Sequence, residues 1–336
     1  MTEEVPKQCV FIDKARAGGG ASSKPPPSVI PSNTNSTRAN SRRNRVFVYR
    51  DFLLSTFPQL LTNSCSKNVL DVAGGRGDLS WLLHNIDGIN SIIVDPRLPN
   101  HKSLIKSTTF LLDHPEEAAV RAVEGLPTHQ PLATLLPRLM DRCDGNLSSP
   151  LHLRMHVDNN LVDALIEVCS NTHSKEEEED KIIVWSEYWQ KEKYRIESNK
   201  TVYGGTAPQT KTQNNNQDGA PPPNYRPQQI TDARTALNIF KSLDYISGFH
   251  PDQATEAAID LALFLKVPFS IVPCCVFPSE FPNRQLDGTK VKSHSQLIDY
   301  LCIKHEKIRK GTLQFVDDEK GTAKNVVLYM LKEDYD

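Results

Sequence analysis

Apolar and polar positions along this chain follow two periods, and the order in which those periods alternate predicts a fold. Asn68-Val69-Leu70-Asp71-Val72 is a short apolar run of the kind that fills a strand covered on both faces. A glycine-rich turn follows, and then Leu79, Leu82, Leu83 and Ile86 recur at i, i+3, i+4 and i+7, the apolar stripe of a helix. Ser91-Ile92-Ile93-Val94 is a second strand, and residues 151–157 alternate as a third. Residues 245–249 and 268–272 read as a fourth and a fifth, with helices predicted over 231–243 and from Ala254 to Leu265. Ser293 and Gln296 form a capping box for a helix over 294–310, with Gly311 as its stop. Strands at 312–316 and 326–331 close the pattern as an antiparallel hairpin. The sum is an α/β fold: a doubly wound, mostly parallel seven-stranded sheet, its ligand at the carboxyl ends of the strands.

Three stretches stand outside that alternation. Residues 1–43 are rich in Gly, Ser, Pro and Asn and nearly free of apolar periodicity, so they are expected to be a disordered tail. Residues 46–61 read as a helix ahead of the first strand, broken at Pro58, with Tyr49 and Arg50 as candidates to line a pocket or, for the aromatics, to pack the core. Residues 170–230 look like an insertion into a single domain spanning 44–336. It holds a solvated acidic run, a candidate strand at 182–185, and an Asn-, Gln- and Pro-rich part unsuited to packing.

Charge narrows the choice of partners. The net value over 336 residues is −2, which asks for neither nucleic acid nor membrane globally. Local clusters say more. Arg42, Arg43 and Arg45 form a basic arm able to hold a phosphate backbone, and equally a solvated tail or an import signal. From Trp185 to Arg195 aromatics interleave with cations, a mix that suits single-stranded RNA or a lid over the domain. No secretory signal and no membrane-length apolar run is present, and seven cysteines without regular spacing suggest reduced thiols, so a cytoplasmic or nuclear setting is expected.

The glycine loop carries the chemistry. A phosphate-binding P-loop needs Gly-Lys-Ser/Thr at its end, which is absent, and Ser80 and Asp78 stand where a dinucleotide loop wants Gly or Ala and no negative charge. A cofactor that is cationic and lacks phosphate tolerates both. Asp95, 18 residues beyond Gly77, falls where such sheets grip ribose hydroxyls. Asp71, the loop of Ala73, Gly74, Gly75 and Gly77, and Asp95 together resemble the first motifs of class I S-adenosylmethionine-dependent methyltransferases, whose fold is Rossmann-like. Ala73 replaces the first glycine of that family's loop. The resemblance implies S-adenosyl-L-methionine as cofactor and puts Asp158, after the third strand, near its adenine. Capping the next helix is the other reading of Asp158.

His250-Pro251-Asp252 and Pro273-Cys274-Cys275 end the fourth and fifth strands on the same predicted edge. Gly248, His250, Asp252, Thr255, Cys274 and Cys275 are similar to a branch of the family that includes tRNA acceptor-stem ribose methyltransferases. That resemblance implies methylation of RNA at a hydroxyl or a base. Where the acceptor proton must leave, His250 is the candidate base because an imidazole titrates near working pH, with Asp252 to orient it; turn chemistry and small buried thiols are the alternatives. A covalent role for Cys274, as in carbon-5 pyrimidine methyltransferases, lacks its second signature. A protein or small-molecule acceptor, and a non-catalytic RNA-binding or assembly factor, remain alternatives. Adjacent cysteines without a Cys-x-x-Cys make a poor chelating pair, so no metal is expected.

Overall fold

A computed structural model of the chain describes residues 34–62, 67–124, 129–143, 147–170, 175–199, 228–315 and 324–335. It is an α/β structure whose main sheet has eight strands in the order β4-β3-β2-β1-β5-β6-β10-β9. They are β1 (Asn68–Val72), β2 (Asn90–Val94), β3 (Leu151–Leu153), β4 (Gln228–Gln229), β5 (Tyr245–Phe249), β6 (Phe269–Val272), β9 (Arg309–Thr312) and β10 (Val326–Met330). All pair in parallel except β10, which runs antiparallel to both β6 and β9. Seven strands were expected; the eighth is β4, two residues paired to β3 at the edge. A separate ribbon, β7 (Gln285–Leu286) and β8 (Thr289–Lys290), turns through Asp287-Gly288 with both residues at positive φ, the hairpin signal of an Asp-Gly pair.

Strand order reverses at β1. The chain steps outward from β1 through β2 and β3 to β4, then returns to lay β5 on the other side. Such a reversal opens a crevice at the carboxyl ends of the two central strands. Side chains alternate across the sheet: Leu70, Val72, Ile92, Val94, Ile246 and Ile271 join one apolar cluster, and Val69, Tyr245, Val272 and Val327 the other. Helices therefore cover both faces. One face carries α1 (Thr34–Thr56), α2 (Asp78–Leu82), α3 (Lys102–Asp113), α4 (Pro115–Arg121) and α5 (Pro131–Cys143). The other carries α6 (Asn159–Cys169), α7 (Lys175–Ser198), α8 (Ala233–Lys241), α9 (Thr255–Leu265) and α10 (His294–Cys302).

Several boundaries differ from the sequence reading. Helix α1 begins at Thr34, so the last ten residues of the expected tail are helical, while 1–33 lie outside the described residues. Its buried Tyr49 donates to the Ser270 carbonyl at 2.7 Å and lies 3.0 Å from Ser247 Oγ, which pins the helix to the sheet. The expected strand at 182–185 is part of α7, because Trp185, Trp189, Glu192 and Ile196 face inward at i, i+4, i+7 and i+11. Helix α10 stops at Cys302, and Gly311 lies within β9 opposite Val327 rather than ending a helix. No helix among the described residues is long and apolar enough to cross a membrane.

Candidate functional site

The loop from β1 to α2 is shaped by contacts that exclude a Cβ. Gly77 has φ +76°, and a Cβ on it would meet Ile93 Cδ1 at 2.5 Å and His101 Cε1 at 2.7 Å. Glycine alone meets both demands. Gly74 crosses over Asp71, whose Oδ2 a Cβ would approach to 2.8 Å. Ala73 carries φ +51°, so the residue standing in place of a glycine is held in the left-handed region and costs backbone strain.

Asp71, at the end of β1, is 1 % exposed. Ser80 Oγ donates to its Oδ2 at 2.8 Å, and Ser91 Oγ donates to Ser80 Oγ at 2.9 Å. Burial raises the Asp71 pKa to about 7; the Ser80 hydrogen bonds oppose the rise, and the nearby Asp95 and Asp78 reinforce it. A cavity of about 350 Å³ opens beside this carboxylate, between Gly74, Arg76, Asp78 and Leu79 on the loop side and Val46 of α1 and Phe249 of β5. The cavity thus lies at the strand-order reversal.

Asp95 directly follows β2 and is also 1 % exposed, with both oxygens engaged. Oδ1 accepts from Arg97 N at 2.8 Å and Nε at 3.0 Å; Oδ2 accepts from Gly75 N at 2.9 Å and Arg97 Nη2 at 3.1 Å. The carboxylate expected to grip a ribose is held by its own neighbour. Arg97 was missed in the sequence, although its place two residues after Asp95 is the signal that finds it. His101 was missed as well. It is 4 % exposed against Gly77, neither ring nitrogen has a hydrogen-bond partner among the described residues, and burial lowers its pKa to about 4.

The ends of β5 and β6 meet beside the cavity. His250 (φ +59°) and Asp252 (φ +49°) both take left-handed backbone, and His250 N donates to the Val272 carbonyl, which fastens the turn to β6. The His250 ring packs on Phe249 at 4.4 Å between centroids, and burial, then Arg45, lowers its pKa to about 4. Asp252 does not orient it: no hydrogen bond joins the two among the described residues. Its Oδ1 accepts instead from Cys274 Sγ at 2.9 Å. Burial and that hydrogen bond push the Cys274 thiol upward, which weakens it as a nucleophile. Cys275 is exposed.

Other candidates have structural work. Asp158 caps α6 by accepting from Leu161 N at 3.2 Å, and its Oδ2 takes Arg195 Nη1 at 2.6 Å, so the capping alternative describes it. Arg50 is buried and bonds the Asp87 carboxylate, away from the cavity wall. Between Trp185 and Arg195 the aromatics turn inward: Trp185 and Trp189 are core, Trp185 Nε1 donates to the Ala233 carbonyl, and Tyr194 is the exposed ring at 76 %. The stacking surface expected there is covered. Arg45 lies over the Phe315 ring at 5.1 Å, and the side chains of Arg42 and Arg43 are outside the described ones.

Comparison with family models, with curated proteins and with solved structures found no match for this chain.

Proposed function

We propose that the chain is an S-adenosylmethionine-dependent methyltransferase of the class I kind, acting on RNA at a hydroxyl or base. The observation carrying this reading is the cavity beside Asp71, at the one place where strand order reverses and the glycine loop leaves β1. The antiparallel β10 between β6 and β9 is the terminal hairpin such sheets end in, with β4 as an added edge strand.

The residues present fit the cofactor. The cavity is within the size of small-molecule sites, and its wall carries Asp71, together with Asp78 paired to Arg76 at 2.9 Å, a balance that leaves the Asp71 carboxyl to suit a ligand with a cationic amino group and sulfonium. Asp71, Gly74, Gly75 and Gly77 would hold it, and Asp95 would take ribose hydroxyls once Arg97 turns aside. When bound, S-adenosylmethionine supplies an electrophilic methyl group. The chain's part is to hold the acceptor's lone pair in line, which contributes most of the rate in such transfers. Phe249 lines the cavity wall, and His250, the next residue, is the candidate to take a hydroxyl proton, a weaker base than an ordinary histidine because burial lowers its pKa to about 4. The basic run Arg42, Arg43 and Arg45 supports RNA as acceptor, now without help from the Trp185 to Arg195 stretch.

Incubation with methyl-labelled cofactor, followed by separation of total RNA, protein and small molecules, tests the reading. Label in RNA is expected. Label confined to protein or metabolites overturns the acceptor, and no saturable cofactor binding overturns the enzyme. The Arg97 grip on Asp95 favours one second reading, an RNA-binding fold that transfers nothing; saturable binding without incorporation identifies it.

A further inference from the structure

We infer that Asp252, Cys274 and Cys275 form a binding site for a thiophilic divalent cation of the zinc type at the rim of the cleft. Neighbouring residues in an extended strand point to opposite faces, which is why adjacent cysteines make poor chelators. Here β6 ends at Val272, and Pro273 takes the chain out of the strand before the cysteines arrive. Both thiols therefore turn to one side and meet the Asp252 carboxylate from the turn that follows β5. A donor atom from each of Asp252, Cys274 and Cys275 lies within 4.8 Å of the others.

Those separations are within reach of a metal's coordination shell. Four-coordinate zinc with ordinary Zn–S and Zn–O lengths keeps sulfur and oxygen about 3.6 Å apart and two sulfurs about 3.8 Å apart. Cys274 Sγ and Asp252 Oδ1 stand at 2.9 Å with a proton between them, so replacing that proton with a metal asks for a shift under 1 Å. Both donor-bearing turns are pinned from behind. The Pro273 carbonyl lies 2.9 Å from His294 Nε2, and the Asp252 carbonyl accepts from Thr255 Oγ1 at 2.7 Å. On binding, the two thiols release their protons to solvent, and two thiolates with one carboxylate give a dication a net charge of −1. Three protein ligands leave a fourth position for water or an incoming acceptor, the arrangement of a catalytic rather than a structural zinc site. Cys275 is exposed, so an entry path exists.

Titration of the reduced full-length protein with Co²⁺ tests this. One equivalent with an intense thiolate charge-transfer band in the near ultraviolet is expected, bleached by Zn²⁺. Cys274→Ser and Cys275→Ser should each remove roughly half of the band, and Asp252→Asn should weaken affinity at least tenfold. A measurement on the unaltered chain stands beside these variants: Zn²⁺ should protect Cys274 and Cys275 from alkylation, mapped by mass spectrometry, and leave Cys169 and Cys302 as reactive as before. Absence of the band, its survival in the double cysteine variant, or equal labelling with and without Zn²⁺ overturns the site.

Discussion

Arg97 grips the carboxylate of Asp95 with its own backbone N–H, with Nε and with Nη2, so one residue occupies most of the acceptor capacity that a ribose would use. The guanidinium side is half-exposed, and an ion pair of that kind is worth about 0.2–1 kcal/mol. Arg97→Gln should therefore tighten S-adenosylmethionine binding by up to about fivefold while the Arg97 main-chain N–H contact persists. Calorimetry on the two proteins checks it; weaker binding in the variant would assign Arg97 to the ligand instead.

Asp71 predicts a pH dependence. Its pKa stands at about 7, so proton loss and cation binding are coupled near neutrality. Affinity for S-adenosylmethionine, the proposed cofactor, should rise as pH goes from 6 to 8, approaching tenfold per unit below the pKa, and the slope should vanish in Asp71→Asn. Stability runs the other way. The folded state holds this proton from the unfolded value near 4 up to about 7, so the group's contribution is present in acid and lost as pH rises through 7. Asp71→Asn should accordingly raise Tm relative to the natural protein at pH 8, and by less at pH 5.

His101 has the opposite sign. Its folded pKa is about 4 against an unfolded value near 6.5, so the unfolded chain takes up the proton first and stability falls as pH drops through that window. Among the described residues both nitrogens are buried without partners, a cost of about 1–3 kcal/mol that an apolar side chain of similar size avoids. His101→Leu should raise Tm at pH 7 and by more at pH 5. A lower Tm at both values would show that the ring holds a ligand or water.

Trp185 separates packing from recognition. Truncation to Ala should cost roughly 3–5 kcal/mol by denaturant titration, because the ring is wholly buried against Phe240 and its Nε1 is bonded to Ala233. Tyr194→Ala should leave stability within about 0.5 kcal/mol, since that ring faces solvent. Retained stability in the Trp185 variant would remove α7 from the core.

Local pattern carried far in this chain. The run into Asp71, the glycine turn and the stripe from Leu79 to Ile86 mark a strand, a loop and a helix wherever they occur, because burial of both strand faces and positive φ at Gly77 select those residues directly. The capping box at Ser293 and Gln296 is present as read. Misreadings fall where two periods compete over a few residues. Ile182-Ile183-Val184-Trp185 has strand propensity, yet its partners at 189, 192 and 196 lie one and more helical turns away, and burial against α8 and Phe240 decides for a helix.

Sequence alone determined the α/β alternation, the position of the glycine turn and the edge on which Asp71, Asp95, His250 and Cys274 end their strands, since each follows from residues a few positions apart. Tertiary structure alone decided what those side chains touch. Cys274 donating to Asp252 rather than Asp252 serving His250, and the aromatics of α7 turning inward, are contacts set by strand pairing and helix packing, which no local spacing encodes.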